Sequence, residues 1–449
     1  MLLRTLKRWL QAITCAAALI LAASCSESND GADENPLQKI KIAVISDTHL
    51  MAPSLLVQDG KAFQTYLAGD RKMLVESEAI MKEVISQLLA EKPNIVLVTG
   101  DLTKDGELES HQLMVTYLKK LTDAGIKVVV TPGNHDINNP HAMRFDGDAA
   151  TKVASISPTE FKNLYNPFGY GNTVAQDNAS LSYVTEPVPD FRIIAIDACE
   201  YYKNDASTCV TAGTIKPETL AWVKAQVGEA RAKNKEVIAI MHHGLLPHYA
   251  SQTTFFPEYV VEGWENASSQ LAAAGLRAVF TGHYHAQDIA LRNGLPEGFI
   301  FDIETGSTVT YPSPYRMMVY QNGVLDITTK QVEQISASSL QGKPFPDFAK
   351  NFLEKGLEGQ ASYMLTHAPY NLPASTAAAI APSIRNAFVA HYSGDENLSA
   401  TEKANVDQII AGAGSFGTTF KALLYGLWSD GAPADRNVSI NLKTGEYTR

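Results

Sequence analysis

The feature that most constrains this chain is a rhythm. Six short runs rich in β-branched and small apolar residues, KIAVIS (41–46), NIVLVT (94–99), KVVVT (127–131), RIIAID (192–197), EVIAIM (236–241) and RAVFT (277–281), read as buried strands. DRKMLVESEAIMKEVISQLLAEK, with apolar residues at helical spacing, fills the first interval, and ELESHQLMVTYLKKLTDAG, closed by a glycine, fills the second. Strand, helix and strand in succession predict a mixed or parallel sheet covered by helices, because parallel neighbours need a long crossover. After residue 290, GFIFDIE, RMMVYQ and VLDITTKQV are joined by short turn-like links and read as an antiparallel second set of strands. From about residue 345 the pattern becomes helical, in PDFAKNFLEKGLEGQ, STAAAIAPSIRNAFVAHY and TEKANVDQII, and NVSINLKTGEYTR reads as a short closing strand pair. The expected division is a domain over 39–335 and a helical C-terminal extension over 336–449.

The segment before residue 39 belongs to another class. MLLRTLKRWLQAITCAAALILAASC carries Arg4, Lys7 and Arg8, then an apolar stretch, then small residues closing on Cys25, which is the layout of a secretory signal. Its ending, LAASC, resembles the lipobox of bacterial lipoproteins, in which the cysteine is lipidated and becomes the new N-terminus. Residues 1–24 are therefore expected to be a lipoprotein signal peptide, Cys25 the lipidation site and 25–38 a flexible acidic tether. An uncleaved anchor and an ordinary signal peptide are the alternatives. Serine after Cys25 resembles lipoproteins sent on to an outer membrane, on either of its faces. Of the four cysteines, Cys15 leaves with the signal, so Cys199 and Cys209 are expected to pair as a disulfide, with two free thiols or a soft metal site as the other readings.

The polar residues sit where the strands end. Asp47 and His49 follow the first strand, Asp101 the second, Asn134, His135 and Asp136 the third, His242 and His243 the fifth, and His283 and His285 the sixth. The carboxyl ends of strands in an α/β sheet share one rim, so these groups can converge. Asp47 and His49, one residue apart, point the same way in an extended chain. The glycines before Asp101, Asn134 and His283 allow a sharp exit from the strand with the backbone close to a ligand. Imidazoles, carboxylates and an amide, with no thiolate, suit Mn, Fe, Zn or Co, and seven such groups exceed the needs of one tetrahedral ion. Two ions sharing a carboxylate is the economical solution.

These motifs, DTH, GD, GNHD, MHH and GHYH in this order over roughly residues 40–290, resemble the calcineurin-like metallophosphoesterase family. The resemblance implies an α/β fold of two mixed β-sheets packed as a sandwich and flanked by helices. It also implies one metal held by Asp47, His49 and His285, the other by Asn134, His242 and His283, and Asp101 bridging. His135 would be the unligated histidine near the leaving group and Asp136 its orienting partner. The two ions would polarise phosphate oxygens and acidify a shared water for in-line attack at phosphorus. Net charge is −11, with 48 acidic against 37 basic residues and no long basic run, which argues against a nucleic-acid polymer as partner. A small phosphoester bound at a locally cationic site is the expected substrate.

The motif reads GDLTKDGELESH and lacks the Asp-Arg-Gly that follows GD in protein serine/threonine phosphatases. It is similar to bacterial cyclic-nucleotide and glycerophosphodiester phosphodiesterases. A phosphomonoesterase of the same family and a catalytically silent metal-binding lipoprotein are the alternatives. His243 is expected behind the ligands or loosely facing substrate, and His111, His141 and His248 as ordinary polar residues or rim contacts. Tyr201, Tyr202, Tyr249 and Tyr284 would pack a rim or stack a base, Arg144 would meet phosphate or a surface carboxylate, and GAGSFG (412–417) would be a turn.

Overall fold

The structure is a computed structural model that describes residues 39–56, 60–296, 298–429 and 431–449. The expected signal peptide, lipidated Cys25 and tether lie outside the described residues. Residues Lys39–Arg449 form one unit. Among the described residues no helix is long and apolar enough to cross a membrane.

The strands are β1 (Ile40–Ile45), β2 (Ile95–Val98), β3 (Lys127–Val130), β4 (Met143–Asp146), β5 (Ala149–Lys152), β6 (Thr173–Gln176), β7 (Tyr183–Val188), β8 (Phe191–Ile196), β9 (Glu236–Met241), β10 (Ala278–Thr281), β11 (Asp288–Leu295), β12 (Gly298–Glu304), β13 (Pro314–Gln321), β14 (Val324–Gln331), β15 (Asn437–Asn441) and β16 (Tyr447–Thr448). One seven-stranded sheet runs β16-β15-β14-β13-β1-β2-β3, the other β11-β12-β10-β9-β8-β7-β6, and β4-β5 is a separate hairpin. β1, β2 and β3 are parallel to one another, as are β8, β9, β10 and β12.

The helices are α1 (Lys61–Leu67), α2 (Ser77–Glu91), α3 (Leu108–Asp123), α4 (Pro158–Leu164), α5 (Pro217–Ala232), α6 (Gln252–Phe255), α7 (Trp264–Ala274), α8 (Phe345–Thr366), α9 (Ala374–Ser393), α10 (Ala400–Gly412) and α11 (Gly417–Leu427). Alternation along β9 shows how the layers form. Ile238 and Ile240 face the core shared with β1, β2, α2 and α3, while Val237, Ala239 and Met241 face a second core with Val223 and Val227 of α5 and Leu271 of α7. Both faces of this strand are covered, which is why it reads as one continuous apolar run.

The expected antiparallel second set does not form as one unit. β12 lies parallel to β10, with Ala278 opposite Phe301 and Thr281 opposite Glu304, whereas β13 and β14 are antiparallel members of the other sheet. The link between β12 and β13, residues 305–313, crosses from sheet to sheet. β15 pairs with β14, from Val324 opposite Asn441 to Thr328 opposite Asn437, so the chain end returns to the sheet after the helices. Leu353 and Leu357 of α8, Ile384 and Phe388 of α9 and Leu424 of α11 share a core with Tyr249, Tyr284 and Ala286. The C-terminal helices are thereby packed on the loops that follow β9 and β10.

Candidate metal centre

The loops leaving β1, β2, β3, β9 and β10 meet at one rim. Backbone bonds between them set the spacing: Asp47 N–H donates to the Gly100 carbonyl at 3.1 Å, and His49 N–H to the Asp101 carbonyl at 2.9 Å. Asp47, His49, Asp101, His283 and His285 all have positive φ, between 36° and 79°. The extended alternation expected at Asp47 and His49 is replaced by left-handed backbone. Such a conformation costs a non-glycine residue roughly 1–3 kcal/mol, and its clustering marks a place where geometry is held against local preference. Glycines make the close approach possible. A Cβ at Gly133 would stand 2.1 Å from Asp101 Oδ1, and one at Gly282 would stand 2.4 Å from Asp47 Oδ2.

The seven expected ligands come together. On one side, His49 Nε2 and His285 Nε2 lie 3.2 Å apart, and Asp47 Oδ1 is 3.4 Å from His285 Nε2. On the other, His242 Nε2 is 3.0 Å from Asn134 Oδ1 and 3.3 Å from Asp101 Oδ2. Asp101 Oδ2 is also 3.6 Å from His49 Nε2, which puts it between the two sides. Asp47, His49 and His285 form one group able to hold a cation, and Asp101, His242 and His283 another.

The outward nitrogens are fixed. His242 Nδ1 donates to the Thr99 carbonyl at 3.0 Å and His283 Nε2 to the Glu258 carbonyl at 3.3 Å, so the opposite ring nitrogens are aimed at the centre. Asp47 Oδ1 is buried with no hydrogen-bond partner. Lone pairs packed this tightly repel unless a cation sits among them, so the donor set fits metal ions.

Electrostatics agree with that reading. Burial holds His49 and His283 well below the usual imidazole value and lowers His285, which leaves them as neutral ligand-type rings. Burial opposes charge on His242 too, but Asp101 beside it pushes it up to about 9, a proton filling the place a metal would contest. Burial would raise Asp101, and His242 and His135 instead hold it well below the carboxylate range.

His135 stands at the edge of this group, its Nε2 4.0 Å from Asp101 Oδ2. Its expected partner is corrected. Asp136 does not touch the ring: its carboxylate accepts from the backbone N–H groups of Gly133, Leu102 and Thr103 at 2.8, 3.1 and 3.0 Å, and so ties the third loop to the second. Successive residues of a tight turn face different ways, so His135 reaches the cleft while Asp136 turns under it. The partner is Asp105, whose Oδ1 lies 2.8 Å from His135 Nδ1. Burial and then Lys72 push His135 down, yet Asp101 and Asp105 outweigh them and hold it above its ordinary value.

The remaining expectations resolve individually. His243 lies behind the ligands, its Nε2 donating to the Thr211 carbonyl at 2.9 Å, and burial takes it down to about 3. His111 is buried between the Tyr165 hydroxyl and the Asp136 carbonyl. His248 is a buried ion-pair residue, with Nδ1 2.8 Å from Asp288 Oδ1. Tyr249 and Tyr284 hydroxyls bond each other at 2.8 Å, and Tyr201 donates to Asp197. His141 and Arg144 are exposed on or beside the β4 hairpin and do not line the cleft. The expected Cys199–Cys209 disulfide is not formed; both are free thiols. Each is spent on a backbone carbonyl, Cys199 on Pro132 at 3.5 Å and Cys209 on Asn134 at 3.4 Å, and Asn204 and Asp205 close the loop by hydrogen bonds to Val210 and Thr208.

A cleft of about 210 Å³ opens onto the centre, and its walls include Arg71, Lys72, Tyr259 and Gln360 beside Asn134, His135 and His285. None of those four was singled out from sequence, because their meeting with the motifs is made only by tertiary packing.

The family of calcineurin-like phosphoesterases matches residues 40–287. A probable cyclic nucleotide phosphodiesterase of Vesicomyosocius okutanii is 23% identical over 267 residues, 58% of this chain and 92% of its own. A probable glycerophosphodiester phosphodiesterase GpdQ of Arcobacter nitrofigilis is 29% identical over 155 residues, 34% of this chain and 43% of its own. Among solved structures, a dimetal phosphatase from Danio rerio is similar at 15% identity with a TM-score of 0.46, covering 66% of this chain and 96% of that one. With the strand-end motifs assembled on one rim and the family match spanning more than half of its length, the chain belongs to the calcineurin-like phosphoesterases, hydrolases of phosphoric esters.

Proposed function

We propose that the protein is an exported, lipid-anchored phosphodiesterase that works with two metal ions. The observation that carries the two-ion reading is the arrangement around Asp101, whose Oδ2 stands 3.6 Å from His49 Nε2 on one side and 3.3 Å from His242 Nε2 on the other. Asp47, His49 and His285 would hold one ion, Asn134, His242 and His283 the other, with Asp101 shared. Ions held there supply Lewis-acid stabilisation of phosphoryl charge and a water acidified towards neutral pH.

The chain's own groups do the rest. Asp105 accepts the Nδ1 proton of His135, which fixes the ring and favours its charged form, so Nε2 can give a proton to the departing oxygen. Asp105 is itself steadied by the Tyr66 hydroxyl at 3.2 Å and by the buried Lys104. Asp136 keeps the second and third loops in register, so Asp101 and His135 stay on one side of the cleft.

GDLTKDGELESH and the names of the two curated relatives support a diester as substrate. Export rests on the signal-like segment ending at Cys25. The test is a panel of phosphomonoesters and phosphodiesters, cyclic nucleotides and glycerophosphodiesters included, against metal-reconstituted protein. A kcat/KM for diesters well above that for matched monoesters supports the reading. The reverse order assigns a monoesterase, and no turnover with metals bound rejects catalysis.

A further inference from the structure

Two cations outside the motifs reach the cleft, and the chain has built a support for them. Asp70 Oδ1 accepts the backbone N–H groups of Arg71 and Lys72 at 2.7 and 2.9 Å, and Met73 N–H donates to the Val309 carbonyl at 2.9 Å. The C-terminal helices complete the support. Gln360 of α8 donates to the Gly69 carbonyl at 3.0 Å, and Arg71 Nη1 donates to the Tyr392 hydroxyl of α9 at 3.1 Å. Arg71 crosses the bare backbone of Gly356, where a Cβ would meet its Cγ at 3.2 Å.

Another lysine in the same molecule shows what a structural one looks like. Lys104 is wholly buried between Asp105 and Glu107 and has no face towards solvent. Lys72, 9% exposed, opens into the cleft, and its partner Asp70 Oδ2 stands off at 3.4 Å while the other oxygen of that carboxylate serves the backbone. An ammonium has three donors, and burying it this deep is costly unless an anion comes to it. Beside it, Arg71 offers a planar fork suited to carboxylate or phosphate oxygens.

The geometry points to Arg71 and Lys72 as a recognition pair for a second anionic group of the substrate, next to the phosphoryl group being cut, with Gln360 and Tyr392 as their positioning residues. The substrate class is a phosphoester that carries another phosphate or carboxylate. This rests on the phosphoesterase reading of the centre, and it gives the C-terminal helices a role in selectivity: they hold the cationic pair against the cleft.

The test uses two esters with the same scissile bond, thymidine 5′-(p-nitrophenyl phosphate) with and without a 3′-phosphate. Calorimetric binding of thymidine 5′-phosphate and thymidine 3′,5′-bisphosphate to the metal-loaded protein supplies a readout besides turnover. The natural chain is expected to prefer the 3′-phosphorylated member of each pair. K72M and R71M are expected to reduce that preference by about 10- to 100-fold, as expected when one or two charge-assisted hydrogen bonds are lost. K72R should restore most of it, and Y392F and Q360A should lower it partially. Equal losses on both esters, or an unchanged ratio in K72M and R71M, would overturn the proposal and leave the phosphoesterase reading intact. Failure of the natural chain to cut either ester with metals bound would count against the diesterase reading alone, and equal binding of thymidine 5′-phosphate and thymidine 3′,5′-bisphosphate would overturn the proposal.

Discussion

Two buried clusters in which carboxylates meet imidazoles lie in this fold, one at the strand ends with an asparagine added, the other with two glutamates. At the strand ends, Asp47 Oδ1 has no hydrogen-bond partner, imidazole nitrogens face one another at 3.2 Å, and left-handed backbone carries five of the residues. In the second cluster each imidazole bonds an acid through its Nδ1, while His248 Nε2 and His391 Nε2 have no hydrogen-bond partner. His248 lies 2.8 Å from Asp288, 3.4 Å from Asp302 and 3.5 Å from Glu304, and His391 of α9 lies 2.6 Å from Glu396. Asp302 also accepts from the Leu245 and Leu246 N–H groups. At the strand ends the donors of five loops crowd one rim; in the second cluster each imidazole is already bonded to a carboxylate, and the cluster fastens the His242 and His283 loops to the C-terminal helices. Residue type alone does not separate a metal centre from a staple.

The comparison breaks most visibly if a ligand is removed. Asp101→Asn and His242→Ala should each abolish metal retention, read by elemental analysis after dialysis. Activity should fall by at least the roughly 10²- to 10³-fold that one charge-stabilising group is worth. His135→Ala should keep its metal and lose about 10² to 10⁴ in kcat, the usual value of a proton donor. Asp105→Asn should cost roughly 10- to 100-fold, as outer partners do. Asp136→Asn should lower thermal stability and leave the pH profile of kcat in place; a shift of that profile would reinstate Asp136 as the partner of His135.

The staple is tested through stability. His248→Ala leaves Asp288 and its neighbours without their counter-charge, so unfolding free energy should drop by about 3–5 kcal/mol in denaturant titration. Its pH dependence has a definite sign. Burial opposes charge on His248, but Asp288 and Asp302 hold its folded value well above 6.5. The stability it contributes is therefore full below about 6.5, the unfolded value, and is lost as pH rises through the folded one. Glu304, raised well above its ordinary value by burial, acts in the same direction. Stability that is flat from pH 6.5 upward, or unchanged in Asp288→Asn, would contradict the pairing. At the small end, Arg144→Ala and His141→Ala are exposed and away from the cleft, so stability should move by no more than about 0.5 kcal/mol and kcat by less than twofold.

The sequence made the centre legible because each ligand follows a strand that announces itself: KIAVIS before Asp47, NIVLVT before Asp101, EVIAIM before His242. Parallel strands end on one rim, so order in the chain became convergence in space. Asp105, Lys72, Arg71 and Gln360 were not legible, since no local pattern tells that a loop residue will meet a histidine 30 positions on, or that α8 will reach Gly69. The resemblance assigns Asp136 to His135, whereas Asp136 binds backbone N–H groups and the acid that meets the ring comes from the loop after Asp101. The role of His248 is not legible because its partners Asp288 and Asp302 lie 40 and 54 residues ahead. β12 and β13 read as one set because succession along the chain does not show where the chain changes sheet.

The central claim is that cations belong at the strand ends and not in the staple. Crystals grown with Mn²⁺ or Zn²⁺ and measured at the metal's absorption edge test it directly. Two anomalous peaks about 3.5–4 Å apart, flanking the Asp101 carboxylate, with none beside His248 and His391, are the result predicted by the geometry of shared-ligand pairs. Peaks at Asp288, His391 and Glu396 with an empty rim around Asp101 would contradict it.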